Sequence, residues 1–98
     1  MTWPIAVHPL AEEELNEAAA YYEARSRGLG VTFLSAVETT LDRIATHPEA
    51  GIPVTKAIRR KIVSQFPYSL LYAVAGEDLR VLAVMHHKRR PFYWRRRG

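Results

Sequence analysis

Two clusters of basic side chains in the second half of the sequence are the parts best suited to chemistry. The first is Arg59-Arg60-Lys61, and the second runs from His86 to Arg97 and mixes basic with aromatic residues. Basic groups neutralise phosphates, and aromatic rings stack on bases. Guanidinium groups also pair bidentately with carboxylates. The clusters therefore predict a surface that binds nucleic acid, a protein that handles nucleic acid, or an acidic protein.

The charge of the chain is divided unevenly between its two halves. Residues 1–50 carry three arginines against eight acids, whereas residues 51–98 carry eleven lysines and arginines against two acids. An even distribution would indicate ordinary solubility. This one favours a single face that attracts acidic or polyanionic partners.

Two kinds of chemistry fit such a basic face. In an RNA-cleaving site, Arg and Lys would stabilise the phosphorane charge while a His or Tyr moves a proton. In a binding surface, the same groups would supply only charge and shape.

Other site types find no support in the sequence. The chain has no cysteine, which excludes thiol nucleophiles, disulfides and cysteine-ligated metals. His86 and His87 are adjacent and should point to opposite sides of a strand. His8 and His47 stand beside prolines and are expected at helix boundaries. We therefore expect no metal site and no cofactor.

Length and composition indicate one domain over residues 1–98. The apolar share of 48% and the charged share of 24% are typical of a soluble globular protein. The longest apolar run, residues 70–75, is too short to cross a membrane, and residues 1–10 lack a signal-peptide pattern. We expect a cytoplasmic protein with no membrane partner.

The first half of the sequence predicts a short strand and two helices. Trp3–Val7 is a short apolar segment, and Pro9 marks the entry of a helix. Apolar residues at helical spacing follow over Leu15–Tyr22, and again over Phe33–Ala45 before Pro48. Only a short connection with two glycines separates the helices, so they should form an antiparallel hairpin.

The second half predicts three strands. The first is Ile58–Phe66, ended by Pro67; the second is Ser69–Ala75, apolar almost throughout; the third is Leu79–Met85. The element order is therefore β-α-α-β-β-β. This order indicates an α+β domain with the helical hairpin packed on one face of a small, mostly antiparallel sheet.

Alternation along the first of these three strands separates its basic residues. Arg60 should point to one face of the sheet, and Arg59 with Lys61 to the other. Because unpaired charge is costly to bury, we expect the face of Arg59 and Lys61 not to lie beneath the helices.

Three stretches of the sequence stand in an order and spacing that resemble one protein family. They are Pro9-x-Ala11 with Glu14-Leu15 and Tyr21-Tyr22; His47-Pro48-Glu49-Ala50-Gly51; and Arg60 through Phe66-Pro67-Tyr68-x-x-x-Tyr72, continuing into Val81-Leu82-Ala83-Val84-x-His86 and Arg89-x-Pro91-x-Tyr93-Trp94. Together they resemble a ParE-type toxin of the RelE/ParE toxin–antitoxin superfamily. The resemblance runs from the strand before Pro9 to Trp94.

The resemblance implies the same β-α-α-β-β-β fold and a cognate, ParD-like antitoxin that wraps and neutralises the toxin. It also implies one of two targets, since ParE-type members inhibit DNA gyrase whereas RelE-type members cleave mRNA on the ribosome without a metal. We favour gyrase, because Ser69–Ala75 has no basic residue and the stretches 66–68 and 91–94 resemble ParE. The alternatives are mRNA cleavage and a domain that has lost toxicity and only pairs with its antitoxin.

Each role has its expected residues. Gyrase binding would use Arg59, Lys61, His87, Lys88, Arg89, Arg90, Tyr93 and Trp94. RNA cleavage would use Arg59, Arg60, Lys61, His86, His87, Arg89 and Tyr93. Antitoxin binding would use Leu15, Tyr22, Leu34, Arg59 and Lys61. Tyr72 is expected in the core.

Overall fold

A computed structural model describes residues 4–97 of the chain. The elements in chain order are β1 (Ile5–Val7), α1 (Pro9–Arg25), α2 (Leu29–Thr46), β2 (Ile52–Pro53), β3 (Ile58–Ile62), β4 (Tyr68–Ala75) and β5 (Asp78–His86). Single 3-10 turns cover Pro48–Ala50 and Arg95–Arg97. Trp3, the expected start of the first strand, lies outside the described residues.

The strands form one sheet in the order β1-β5-β4-β3-β2. The β1 strand runs parallel to β5, and all other neighbours are antiparallel. Helix α1 packs over β5, and α2 packs against α1 and contacts β3 near the other side of the sheet. The predicted α+β class and the helical hairpin on one face are confirmed.

Local signals explain where the two helices begin. His8 caps α1, its Nδ1 accepting a hydrogen bond from the Leu10 amide, and Pro9 occupies the first turn without leaving a donor unused. Gly28 precedes α2 with φ +87°, a left-handed conformation that glycine adopts without a Cβ clash. The Glu23 carboxylate accepts from the Gly28 and Gly30 amides, both at 3.0 Å, and so ties the turn between the helices to α1.

The main core lies between the helices and the sheet. Its aromatic centre contains Phe33, which is buried and packs edge-on against Phe66 and Tyr68, while Tyr22 packs against all three. Such edge-to-face contacts add stability beyond the burial of area. The aromatic cluster fixes the end of α1 and the start of α2 against the sheet.

A smaller core covers the opposite face of the sheet, called here the open face because no helix packs on it. Trp94 from the chain that follows β5 is 3% exposed and packs with Leu71 and Ala83. The C-terminal segment, residues 87–97, thus folds back over the open face.

Two details of the strands differ from the sequence-based prediction. An additional strand, β2, pairs with Arg59 and Arg60; two residues of Ile-Pro carry too little periodicity to indicate a strand. The β3 strand ends at Ile62 rather than at Phe66, because residues 63–67 turn the chain, with Gln65 at φ 69°. No helix within residues 4–97 is long and apolar enough to span a bilayer.

Candidate functional site

The pairing of β3 with β4 decides which basic residue reaches which face. Arg59 lies opposite Tyr72 and Lys61 opposite Leu70, and both of these partners belong to the core beneath the helices. Arg60 lies opposite Leu71, on the open face. The predicted separation is confirmed, but the assignment of faces was wrong: Arg59 and Lys61 are on the helix side.

Partners for Arg59 explain why it can lie on that side. Its guanidinium donates to the carbonyl of Gly51 at 2.8 Å and to that of Glu49 at 3.3 Å. These carbonyls belong to the turn that follows α2, so the charge is hydrogen-bonded where it is half-buried. Arg59 therefore braces this turn, and it is remote from the C-terminal basic cluster.

Lys61 lies at a cleft of about 330 Å³ between α2 and β3. Threonine and serine side chains of α2 and the guanidinium of Arg43 share this cleft. Lys61, like Arg59, is thus placed beside the helical hairpin, where an antitoxin was expected, and not with the other residues expected to bind gyrase.

The open face brings together Arg60, His87 and Arg89. They line one cleft of about 220 Å³, walled by the aromatic side chains of Phe92 and Trp94. The Nε2 atom of His87 lies 2.8 Å from the Ser69 hydroxyl, which fixes the imidazole over the sheet. Arg60 was not among the residues predicted to bind gyrase. The alternation of side chains along the strand could have indicated it, because it places Arg60 on the face opposite to Arg59 and Lys61.

The two adjacent histidines separate as predicted. His86 points to the helix side, where its ring packs edge-on against Tyr68 at 5.0 Å between centroids. Its Nδ1 atom accepts from the Lys88 amide, which closes the turn after β5. His86 therefore does not share the cleft of His87. It lines a separate cleft of about 240 Å³ on the helix side, together with Arg89 and Tyr93, two other residues expected in an RNA-cleaving site. Within residues 4–97, no three potential metal ligands converge.

Tyr93 is held in a polar network rather than displayed to a substrate. Its hydroxyl donates to Glu14 of α1 at 2.5 Å. Burial raises the pKa of Tyr93 well above that of a free tyrosine, and the hydrogen bond to the Glu14 carboxylate raises it further. A phenol that is neutral and already donating is a poor general base, so the expected proton-transfer role of Tyr93 is not supported.

Trp94, also expected to bind the target, is buried in the open-face core. The expectation that it contacts a target directly was wrong, because its ring already fills the space against Leu71. What the C-terminal segment exposes is charge. The exposed basic side chains are Lys88, Arg89, Arg90, Arg95 and Arg96.

The three apolar residues expected at an antitoxin interface differ in accessibility. Leu15 and Tyr22 are only partly exposed and pack against the main core. Leu34 on α2 is 39% exposed, and Val31, one turn earlier, is 66% exposed. Leu34 and Val31 are therefore apolar residues of α2 that a partner could contact. Tyr22 instead packs mainly within the aromatic cluster.

Glu14 is the residue that sequence reasoning missed. In the sequence it stood out only as part of the stretch Glu14-Leu15 of the resemblance, with no role assigned to it. In the structure it pairs with Arg97 at 2.7 Å and accepts from the Val84 amide and the Tyr93 hydroxyl. The resemblance contains Glu14 and Tyr93 in separate stretches, and nothing in the sequence links them.

Tyrosine ionisation gives a first test of these packing arrangements. Burial raises the pKa of Tyr22, Tyr68, Tyr72 and Tyr93. Stability that depends on their neutral form is fully present below pH ~10, the pKa of tyrosine in an unfolded chain, and is lost as the pH rises towards the folded values. We expect phenolate absorbance to appear at higher pH in the folded protein than in denaturant, and less so in Tyr93→Phe. Superimposable titration curves would contradict this packing.

Comparison with known proteins agrees with this architecture. A family model described as the ParE toxin of type II toxin–antitoxin systems, parDE, matches residues 5–91. A solved structure titled as the chromosomal ParDE system from P. aeruginosa contains a chain of the same fold, with a TM-score of 0.73 at 12% identity over 87% of this chain and 96% of that one. No curated protein matches the chain. Since the family model spans nearly all of the described residues, the chain belongs to the ParE toxin family of type II toxin–antitoxin systems.

Proposed function

We propose that this toxin inhibits DNA gyrase by binding it, and that a ParD-like antitoxin neutralises the toxin in the cytoplasm. The observation that supports inhibition by binding is the state of the C-terminal segment. It exposes Lys88, Arg89 and Arg90 in sequence, while Tyr93, a candidate proton carrier, is occupied by Glu14. Such a segment offers charge and shape to an acidic protein surface.

Cleavage of mRNA is the second candidate, and one observation favours it. Arg60, His87 and Arg89 line the same open-face cleft, which places two charge-stabilising groups near an imidazole. An imidazole is the side chain most often used to transfer protons in catalysis. The two functions therefore differ in what they require of His87.

Conservative changes at His87 and Tyr93 separate a binder from a nuclease. Removing an acid or base from a nuclease costs about 10²–10⁴-fold in rate. A gyrase-binding protein should tolerate His87→Gln with inhibition changed by only a few fold. Tyr93→Phe, which removes the hydrogen bond to Glu14, should cost it no more than about tenfold. We expect both variants to stop growth when expressed and to inhibit supercoiling. Loss of toxicity in either folded variant would favour the mRNA-cleaving function instead.

The antitoxin is proposed to lie along the helical hairpin and reach Lys61 and Arg59. An acidic and apolar segment would match the exposed Leu34 and Val31 together with the cations at the edge of β3. A stable complex of this kind buries more than ~1,000 Å² in total. At Arg59, the antitoxin would contact the part of the guanidinium that does not donate to the carbonyls of Glu49 and Gly51.

A charge placed at Leu34 tests this interface. We expect Leu34→Asp to weaken antitoxin binding by about tenfold or more, because an unpaired carboxylate would be desolvated in the complex. Val7→Asp is the matched control, since Val7 is 39% exposed, like Leu34, but lies on β1, at the opposite edge of the sheet from β3. Titration calorimetry with the purified antitoxin measures both. Equal effects of the two substitutions would contradict docking on the hairpin.

A further inference from the structure

Glu14 is the point where α1, β5 and the C-terminal segment meet. Its carboxylate accepts from the Val84 amide at 3.1 Å, from the Tyr93 hydroxyl at 2.5 Å, and from Arg97 at 2.7 and 3.3 Å. Arg97 also donates to the Leu82 carbonyl at 3.2 Å. Charge-assisted hydrogen bonds of this kind are the strong ones in proteins, so the carboxylate holds these groups in one arrangement.

The ring of Tyr93 connects this hydrogen-bond network to Arg89, which stacks on it. The guanidinium carbon of Arg89 lies 4.3 Å from the ring centroid, and that of Arg97 lies 4.9 Å from it. Stacking on an aromatic face orients a guanidinium that would otherwise move freely in solvent. Within residues 4–97, Arg89 forms no ion pair and no side-chain hydrogen bond, so its donors stay available to a partner.

The Tyr93 ring holds Arg89 in place, but no carboxylate within the described residues neutralises its charge, because Glu14 pairs with Arg97. Arg97 takes up the charge of Glu14, as the ion pair at 2.7 Å shows. Arg89 contacts the Tyr93 ring instead, beside a cleft of about 240 Å³ that both residues line with Glu14, and Arg89 also borders the open-face cleft of Arg60 and His87. A flexible arginine held in this way loses less conformational freedom when it binds.

We propose that Glu14 is a positioning residue for target binding: through Tyr93 it holds the exposed guanidinium of Arg89 in one position for a partner. The part of this proposal that concerns a target rests on the proposed function. The positioning itself concerns only the free protein, and the two are tested separately.

The first experiment measures the position of Arg89 by NMR. A guanidinium stacked on a ring has side-chain proton resonances shifted upfield by the ring. We expect this shift for Arg89 in the wild-type protein and in Glu13→Gln, the control at an exposed neighbour on α1. In Glu14→Gln the shift should be largely lost. Unchanged Arg89 resonances in a folded Glu14→Gln protein would overturn the proposal.

The second experiment is a double-mutant cycle on the half-maximal inhibitory concentration for gyrase supercoiling. We expect Glu14→Gln to raise this concentration about tenfold in the wild-type background and to have almost no further effect in Arg89→Ala, because the two changes remove the same contact. Independent effects that multiply would show a purely structural role and overturn the proposal. A wild-type protein that leaves supercoiling intact would instead reject gyrase as the target, and the NMR result would still decide the positioning.

Discussion

Replacing both Arg89 and Arg90 with glutamate should abolish the proposed inhibition of DNA gyrase. Both side chains are exposed, so the fold should be retained, with at most the stacking of Arg89 on Tyr93 lost. Close like charges at an interface cost several kcal/mol, which corresponds to about a hundredfold or more in binding. The measurement is supercoiling by purified gyrase at increasing concentrations of the variant.

A matched pair of arginines controls for net charge. Arg25→Glu with Arg27→Glu changes the charge by the same amount, and these exposed side chains lie at and just after the end of α1, outside the C-terminal segment. We expect this variant to inhibit gyrase like the wild type. Equal loss of inhibition in both double variants would show that overall charge, and not the C-terminal segment, governs binding.

The largest effect on stability is expected at Tyr72. Its side chain is 0% exposed, and its hydroxyl accepts from the Gly51 amide at 3.0 Å and donates to the Pro48 carbonyl at 2.7 Å. Tyr72→Ala removes both hydrogen bonds and leaves a cavity, so we expect a loss of about 3–5 kcal/mol in the free energy of unfolding. Urea denaturation followed by circular dichroism measures it.

Tyr72→Phe isolates the contribution of the hydroxyl. It keeps the ring but leaves the buried Gly51 amide without its acceptor, which should cost about 1–3 kcal/mol. We expect this variant to fold and to keep its inhibitory activity, because Tyr72 belongs to the core beneath the helices. Loss of activity in a stably folded Tyr72→Phe protein would show that Tyr72 takes part in function directly.

Strong local signals explain why the element order could be predicted. The stripe over Phe33–Ala45 has the helical period, and Ser69–Ala75 is apolar on both faces because both faces of β4 are covered. The end of β3 was predicted too late, because Val63 and Phe66 continue an apolar pattern while serving the main core from a turn. Apolar residues alone do not distinguish a strand from a turn that packs inwards.

The assignment of faces on β3 failed for an energetic reason. Two cations were expected to avoid the side of the helices because burial of unpaired charge is costly. However, β3 lies near the edge of the sheet, where Lys61 opens into a cleft and Arg59 reaches two backbone carbonyls. Partners supplied by the turn after α2 could not be inferred from the strand itself.

The other features of the site could not be predicted because they depend on contacts between residues that are far apart in the sequence. Glu14 lies 79 residues from Tyr93 and 83 from Arg97, and the bonds between them depend on how the chain returns over the sheet after β5. The burial of Trp94 has the same origin, since a terminal aromatic beside arginines resembles a stacking residue for bases until the fold shows what it covers.

The most direct test of the account is the effect of the purified toxin on DNA supercoiling by gyrase, run beside a ribosome-dependent mRNA cleavage assay. We expect the wild-type toxin to inhibit supercoiling as it is added, and the antitoxin to restore it. The double variant Arg89→Glu with Arg90→Glu should leave supercoiling uninhibited, and the mRNA should stay intact with either protein. Uninhibited supercoiling together with cleaved mRNA would contradict the proposed function.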